Sequence, residues 1–380
     1  MNPILPGGVI GILGGGQLGR MSTFKAKQLG YKVVVLDPTP GCPCGQVADE
    51  QIVANFDDEP ALRQLAEKCE VITYEFENVD SRAVELLEQL GRKVFPDSQA
   101  LKISQNRWAE KEFLRRSGVG VADFFKVASL ADLETAMQQI GFPGLLKTAT
   151  GGYDGKGQVV LYNEDDARQA FATLNHPALI WEKKVTFVKE LSVICGRNQA
   201  GEIVTYPAVE NIHVENILDM SLAPAEAPAH VQAEAQRIAR TIAEKLKLVG
   251  VCGVELFLLP DETILVNEIA PRPHNSGHYT LDACFCSQFE QHMRAVCGLP
   301  LGSTDLKGYA VMVNILGTGE GHHLVGLEQV LQNSQLAVHL YGKSSAAAKR
   351  KMGHVTALSP HSLAEARDWA LEARAKLKWV

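Results

Sequence analysis

No apolar run in this 380-residue chain approaches the roughly 20 residues that a membrane-crossing helix needs. The amino-terminal MNPILPGGVIGILGGG is apolar, but it lacks a basic leader and is interrupted by glycines, so it does not read as a signal peptide. Positive charge is also scarce. Against 44 Asp and Glu stand 37 Lys and Arg, a net charge of −7, which argues against a general nucleic-acid binder. Cysteine occurs eight times but forms no framework. Cys42-Pro-Cys44 and Cys284-Phe-Cys286 lack metal-ligand spacing, so all of them read as reduced thiols of a cytoplasmic protein. Internal repeats and low-complexity segments are missing as well. What remains is 46% hydrophobic and 21% charged, a composition ordinary for a globular chain of roughly two to four compact units.

The most informative stretch is Gly253–Thr280. Two apolar runs, Val254–Leu259 and Ile264–Ile269, flank Pro260-Asp261-Glu262-Thr263, which predicts a hairpin. One carboxylate interrupts each run, Glu255 in the first and Glu268 in the second. A charge within a buried strand is costly unless neutralised. On paired strands the two carboxylates could converge on one cation, and hard oxygen ligands point to magnesium rather than zinc. Asn267 precedes Glu268, and Arg272, His274, Asn275 and His278 follow on a loop, which places anion-binding groups beside the metal. The alternative is a pair of solvent-facing glutamates on edge strands.

Toward the amino terminus, Val9–Leu13 predicts a strand that runs into Gly14-Gly15-Gly16-Gln17-Leu18-Gly19 and a helix through about Gln28. A second strand, Lys32–Leu36, ends at Asp37. This spacing matches the dinucleotide fingerprint. It reads either as a nicotinamide or flavin site, or as a Rossmann-like unit whose glycines serve only close backbone approach. Strands at Gln51–Asn55, Val71–Tyr74 and Lys93–Phe95, each followed by a helical stretch, extend the pattern to a parallel sheet. Ligands of such sheets lie beyond the strand carboxyl ends, where Gln17 and the loop Glu75–Val79 are candidate substrate contacts.

Beyond Ser104, Gln105-Asn106-Arg107 opens a charged helix that stops at Gly118. Lys147 lies inside the apolar strand Leu145–Thr148, and the glycine-rich Thr150–Gln158 follows it. Bare backbone N–H groups and a lysine suit polyphosphate binding. The strand Leu179–Trp181 leads to Glu182-Lys183-Lys184-Val185, an end able to read an adenine amino group and a ribose. Pro228 opens a helix through Lys245, and Leu281–Cys297 reads as a further helix packed through Phe and Met. Near the carboxyl terminus Lys343, Lys349, Arg350 and Lys351 form the most basic stretch, set between the strands Tyr309–Leu316 and Ala337–Leu340 and the final helix, which opens with a capping box at Ser362 and Glu365.

Taken together, GGGQLGRM, YEFENV, TGGYDGKGQ, ENIH, NEIAPRPHNSGHYT and RKMGH resemble the ATP-grasp superfamily and, within it, the 5-(carboxyamino)imidazole ribonucleotide synthetases of purine biosynthesis. The resemblance implies an α/β and α+β architecture: a Rossmann-like domain at 1–104, an ATP-grasp domain at 105–300 divided near 182 and 183, and a small domain at 301–380. It implies that the amino-terminal domain does not bind NAD. It assigns ATP contacts to Arg107, Lys147, Gly152, Tyr153, Asp154, Gly155, Lys156, Gly157, Gln158, Glu182, Lys183, Lys184, Val185, Glu190, His213, Asn267 and Glu268, and magnesium to Glu255 and Glu268. Arg272 and His274 are the candidates for holding bicarbonate, and Asp154 for accepting the proton. Gln17, Glu75, Tyr153, Asp154, Asn275, Lys343, Arg350 and Lys351 are the candidates for the ribonucleotide. The implied reaction takes ATP, bicarbonate and 5-aminoimidazole ribonucleotide to the carbamate, ADP and phosphate, and the implied assembly is a cytoplasmic homodimer. The segment Ser-Ala-Ala-Ala-Lys between Lys343 and Arg350 departs from the family's Arg-Pro-Gly. Alternatives are a formate-using or other carboxylating ATP-grasp relative, a non-catalytic nucleotide sensor, and an NAD-dependent oxidoreductase.

Overall fold

The computed structural model describes residues 2–151, 157–174, 178–319 and 321–380. Its first unit is a five-stranded parallel sheet in which Val9–Leu13 lies centrally between Lys32–Leu36 and Val71–Tyr74, with Glu50–Ile52 and Lys93–Val94 at the edges. The near-continuous apolar strands are those of a sheet covered on both faces. Leu13, Leu36, Leu62, Leu65 and Leu87 fill one side, while Ile10, Ile12, Val33 and Val35 pack on the other against Met293, Val296 and Cys297 of a much later helix. All eight cysteines are unpaired and buried.

The second unit is an antiparallel sheet of Phe124–Val127, Leu179–Lys183, Gly144–Thr148 and Gln158–Leu161, in that spatial order. Strand alternation splits its residues between two faces. Leu146 and Trp181 point into a core shared with helices Leu130–Ile140 and Glu164–Leu174, and Lys147 and Glu182 point to the opposite face.

The largest sheet has nine strands and is antiparallel throughout. Ile264–Ala270 forms one end, followed by Gly250–Leu258, Lys189–Arg197, Val209–Val214 and Ile217–Ala223. The next strands are Tyr309–Leu316, Lys351–Ser359 and Leu336–Leu340. Met220 pairs with Val313 and Ala223 with Ala310, so the boundary expected near residue 300 does not separate two sheets. Helix Ala229–Lys245 covers the inner face through Ala235, Ile238, Ala239 and Ile242.

Three local expectations are corrected. The helix read over Leu281–Cys297 is broken into Thr280–Ala283 and Gln288–Val296, because Ser287 caps the second through Glu290 N–H. The basic stretch is not all loop, since a strand begins at Lys351. At the final helix Ser362 accepts from Glu365 N–H, but the Glu365 carboxylate bonds the Ser359 hydroxyl and the capping box is only half formed. That helix ends at Lys376, and Lys378–Trp379 then pairs with Leu324–Val325.

Candidate active site

The glycine-rich turn of the first unit is filled by the protein itself. Glu75, at the end of the strand Val71–Tyr74, accepts from Gly16 N–H and, at 2.7 Å, from Gly19 N–H. Its carboxylate therefore occupies the helix amino terminus where a dinucleotide would place its pyrophosphate. Asp37 accepts from Gly15 N–H at 2.8 Å instead of meeting a ribose. A Cβ on Gly14 would fall 2.6 Å from Glu75 Cγ, and one on Gly15 would fall 2.2 Å from Cys42 Sγ. The glycines thus serve internal packing, and the NAD reading is excluded by an occupied anion site. Gln17 is half-buried in the first turn of that helix.

On the open face of the four-stranded sheet, Lys147 Nζ lies 3.0 Å from Glu182 Oε2, and Lys111 Nζ approaches the same oxygen at 3.7 Å. Burial alone would raise the Glu182 carboxyl, but the two lysines outweigh it and hold it below its usual range. Glu182 Oε1 is buried without a hydrogen-bond partner among the described residues, an acceptor left over. Arg107 donates to the carbonyls of Thr148 and Gly151 at 3.0 and 2.6 Å, which draws the helix start to the base of the glycine-rich loop. Gly152, Tyr153, Asp154, Gly155 and Lys156 of that loop lie outside the described residues. Gly157 and Gln158 close it, with Gln158 paired to Lys147 across the hairpin.

Lys183, expected among the ATP contacts, turns its side chain away from this face. The ammonium of Lys183 donates to the carbonyls of Ile140 and Phe142 at 3.3 and 3.0 Å, on the helix-covered side. Strand alternation sends Glu182 and Lys183 to opposite faces, so only the main chain of Lys183 can meet a nucleotide. Lys184 N–H bonds the Pro143 carbonyl, and Val185 follows as the strand gives way to loop. Glu190 and His213 are joined on the large sheet, Oε2 to Nδ1, at 2.6 Å.

The two metal-candidate carboxylates are direct cross-strand partners, Glu255 opposite Glu268. The register then skips Asn267, because Leu256 pairs with Val266. This bulge lets Asn267 and Glu268 both leave the core face, which Val266 and Ile269 occupy. Asn267 Nδ2 approaches Glu255 Oε2 at 3.5 Å. Glu268 itself is solvent-exposed, yet crowding by the surrounding chain and the charge of Glu255 push its carboxyl up to about 7, while Arg107 and Lys147 pull the other way. Glu255 is held at about 2 against its burial by the hydrogen bond from His274 and by neighbouring positive groups. Two oxygen donors arranged with this mutual repulsion fit a divalent hard cation.

A chain of hydrogen bonds fixes His274. Ser221 donates to Asn211 Oδ1, Asn211 Nδ2 to Ser192 Oγ at 2.8 Å, and Ser192 to Ser276 Oγ at 2.7 Å. Ser276 is left to donate to His274 Nδ1 at 2.9 Å, so the imidazole carries its proton on Nε2, 3.1 Å from Glu255 Oε1. The expectation that His274 holds bicarbonate is therefore revised, because both ring nitrogens are engaged and the ring orients Glu255. Arg272 is largely enclosed and paired with Glu77 of the first unit. Burial alone would raise Glu77, but the guanidinium holds its carboxyl at about 2. Asn275, expected at the ribonucleotide, exchanges amide bonds with Asn314 at 3.1 and 2.9 Å and serves the sheet instead.

The basic groups meet the first unit across a seam. Gln46 Nε2 donates to the Gly342 carbonyl at 2.8 Å, and Arg20 Nη1 holds the Gln46 side chain at 2.9 Å. Lys343 Nζ reaches the Lys351 carbonyl at 2.6 Å. Burial and the nearby Arg350 push Lys343 down to about 8, against the pull of Glu75. Arg350 and Lys351 stand within electrostatic reach of Lys343 despite the altered segment between them, and Lys343 in turn feels Glu75. Behind them His354 joins Tyr341 through Nδ1 at 2.9 Å and stacks on His339, which bonds Asp282 at 2.9 Å.

Two residues of this site escape the sequence reading. Glu110 and Lys111, read as part of a charged helix, are buried. Their spacing from Leu114, four and three residues on, was the available signal that they share its inward face.

Comparison with known proteins places this geometry. Residues 8–105 match the ribonucleotide synthetase preATP-grasp domain, 112–289 the ATP-grasp domain, and 310–368 the phosphoribosylaminoimidazole carboxylase C-terminal domain. The N5-carboxyaminoimidazole ribonucleotide synthase of Bacillus subtilis is 49% identical over 354 residues, 93% of this chain and 92% of that protein. The chain belongs to the N5-carboxyaminoimidazole ribonucleotide synthase family. The synthase of Brucella melitensis is 45% identical over 94% of this chain and 98% of its own. Among solved structures, an N5-carboxyaminoimidazole ribonucleotide synthetase bound to ADP superposes with a TM-score of 0.92 at 48% identity, covering 98% of each chain. The Aspergillus clavatus synthase, in complex with ADP and 5-aminoimidazole ribonucleotide, gives 0.89 at 34% identity over 97% of this chain and 99% of that one. The family's ATP-grasp ligase architecture, with its parallel-sheet first domain, is the fold described above.

Proposed function

We infer that this chain is an ATP-grasp ligase that carboxylates 5-aminoimidazole ribonucleotide with ATP and bicarbonate, in purine biosynthesis. The observation that carries the reading is one cleft with three kinds of group around it. The Lys147–Glu182–Lys111 cluster faces the Glu255–Glu268 pair, since Lys111 Nζ also bonds the Asn267 carbonyl at 2.7 Å. Arg272 stands within electrostatic reach of both Glu255 and Glu268, and Lys351 of the basic stretch within reach of His213.

Lys147 and Arg107 offset charge on the ATP phosphates, and the Glu182 Oε1 acceptor with the Val185 main chain suits an adenine edge. Glu255, Glu268 and Asn267 would hold magnesium, which when bound draws charge from the phosphates. His274 keeps Glu255 aimed at that position. Arg272, already fixed by Glu77, is the group suited to bicarbonate as it attacks the γ-phosphorus. The carboxyphosphate formed there must meet the amine away from water. Lys343 and Arg350 suit the ribonucleotide phosphate, and Asp154 remains the candidate to accept the amine proton. A cytoplasmic homodimer accords with the family. The test is phosphate release from ATP with Mg²⁺ and bicarbonate, which should require 5-aminoimidazole ribonucleotide. Release that is indifferent to the ribonucleotide, or that needs formate, would point to another acceptor or donor.

A further inference from the structure

The strand Ile264–Ala270 ends the nine-stranded sheet, so its outer backbone groups have no strand to pair with. Edges of this kind need cover, and a bulge weakens the pairing on the inner side as well. The cover here comes from elsewhere in the chain. Gly120 carbonyl accepts from Val266 N–H at 2.8 Å. Lys111 Nζ donates to the Asn267 carbonyl at 2.7 Å and lies 3.5 Å from that of Val266. Glu110 Oε1 accepts from Ile269 N–H at 2.7 Å. Consecutive residues of one helical turn therefore grip the bulge on both sides of Glu268, a donor before it and an acceptor after it.

The grip is rigid. Glu110 and Lys111 are 3% and 2% exposed, and Leu114 of the same helix is set in the main core. Because Lys111 also faces Glu182, one ammonium ties the bulge to the cluster that holds Lys147. We propose that Glu110 and Lys111 are positioning residues that fix the Asn267–Ile269 bulge in the backbone geometry that aims Asn267 and Glu268 at the cation beside Glu255. The proposal rests on the reading of Glu255 and Glu268 as metal ligands. Both act through backbone groups of the bulge, Glu110 at Ile269 N–H and Lys111 at the Asn267 carbonyl. Glutamine at position 110 presents the same acceptor to Ile269 N–H and should substitute for the acid, whereas alanine cannot.

The test uses the full chain with Glu110→Ala, Glu110→Gln, Lys111→Met and Glu268→Gln. Mn²⁺ binding is read by loss of the free-ion electron paramagnetic resonance signal in the presence of ADP, alongside the Mg²⁺ dependence of turnover and a metal-free melt of each variant. Loss of outer partners of metal ligands weakens metal binding about 10- to 100-fold. That loss is expected for Glu110→Ala and Lys111→Met, with Glu110→Gln within about twofold of the parent. If Glu110→Ala does not fold, Lys111→Met and Glu110→Gln carry the comparison. Parent-like Mn²⁺ binding by both Glu110→Ala and Lys111→Met overturns the proposal, as does a Glu110→Gln as weak as the alanine variant. Should Glu268→Gln itself bind Mn²⁺ like the parent, the ligand assignment falls and the positioning role falls with it.

Discussion

At the scale of single residues, the site is organised by enclosed polar and charged groups that satisfy one another. Lys147 and Lys111 share Glu182, Arg272 holds Glu77, and Glu255 leans on His274. Arg350 is exposed, and its guanidinium bonds Ser345 at 3.3 and 3.2 Å with no carboxylate partner among the described residues. Guanidinium suits bidentate phosphate binding, and the proposed reading gives the ATP phosphates to Lys147 and Arg107. Arg350→Ala should therefore raise KM for 5-aminoimidazole ribonucleotide and leave KM for ATP nearly unchanged. One charge-assisted contact is worth about 1.5–3 kcal/mol, or roughly ten- to a hundred-fold. Steady-state kinetics with each substrate varied in turn decides it, and a loss confined to ATP would assign Arg350 to the nucleotide.

Legibility in the sequence follows from the range of the contacts. Glu255, Glu268 and Lys147 could be read because a charge inside an apolar strand is visible locally. His274 and Asn275 were read as ligand-facing, because their partners Ser276–Ser192–Asn211 and Asn314 lie on strands that only the fold brings near.

At the scale of elements, the helix Arg107–Arg116 does more than its composition suggests. It starts at Asn106, whose extended backbone separates it from helix Ser98–Gln105 and whose Oδ1 accepts from Trp108 and Ala109 N–H at 3.0 and 3.1 Å. This cap sets the phase with which Arg107, Glu110 and Lys111 meet the cleft. Asn106→Ala should cost about 1 kcal/mol of stability, measured by urea unfolding, and should lower turnover more than an equally destabilising cap loss at Asp58 of helix Glu59–Lys68. Equal effects on turnover would mean that the cap acts on stability alone. Element bounds were legible where period and punctuation agree, as at Lys32–Leu36, Val71–Tyr74 and Tyr309–Leu316. They were misread where a cap was overlooked. Ser287 and Glu290 carry the spacing of a helix start, yet the apolar pattern ran across them.

At the scale of the whole molecule, first and last units close on the middle one through polar seams that depend on protonation. His292 accepts from Val251 N–H at 3.1 Å and meets Thr73 Oγ1 at 2.7 Å, joining the late helix to the first sheet. Burial pushes His292 down to about 3, and burial with neighbouring positive groups pushes His278 and His354 down as well. Folded imidazoles of this kind stay neutral while the unfolded chain takes up protons near pH 6.5. Their contribution is thus complete above about pH 6.5 and is lost as the pH falls toward the folded values, at about 1.4 kcal/mol per pH unit for each proton excluded. Glu77, held at about 2, adds a second loss of the same sign below about pH 4.5. The carboxyls of Glu268, pushed up to about 7, and Glu110, pushed up to about 8, act in the opposite sense above about pH 4.5. The test is therefore a difference: His292→Gln should lose less melting temperature than the parent between about pH 6 and 4. Parallel profiles for parent and variant would mean that His292 is not the neutral strut described.

The central claim is that bicarbonate, activated by ATP in this cleft, becomes the carboxyl group of the product. Freshly prepared ¹⁸O-bicarbonate, supplied with ATP, Mg²⁺ and 5-aminoimidazole ribonucleotide, tests it most directly. Attack on the γ-phosphorus leaves one bicarbonate oxygen on phosphorus when the C–O bond of carboxyphosphate later breaks. The account predicts that the released phosphate carries one ¹⁸O, in amounts matching the carboxylated ribonucleotide. Phosphate free of label, or formed equally without the ribonucleotide, would contradict it.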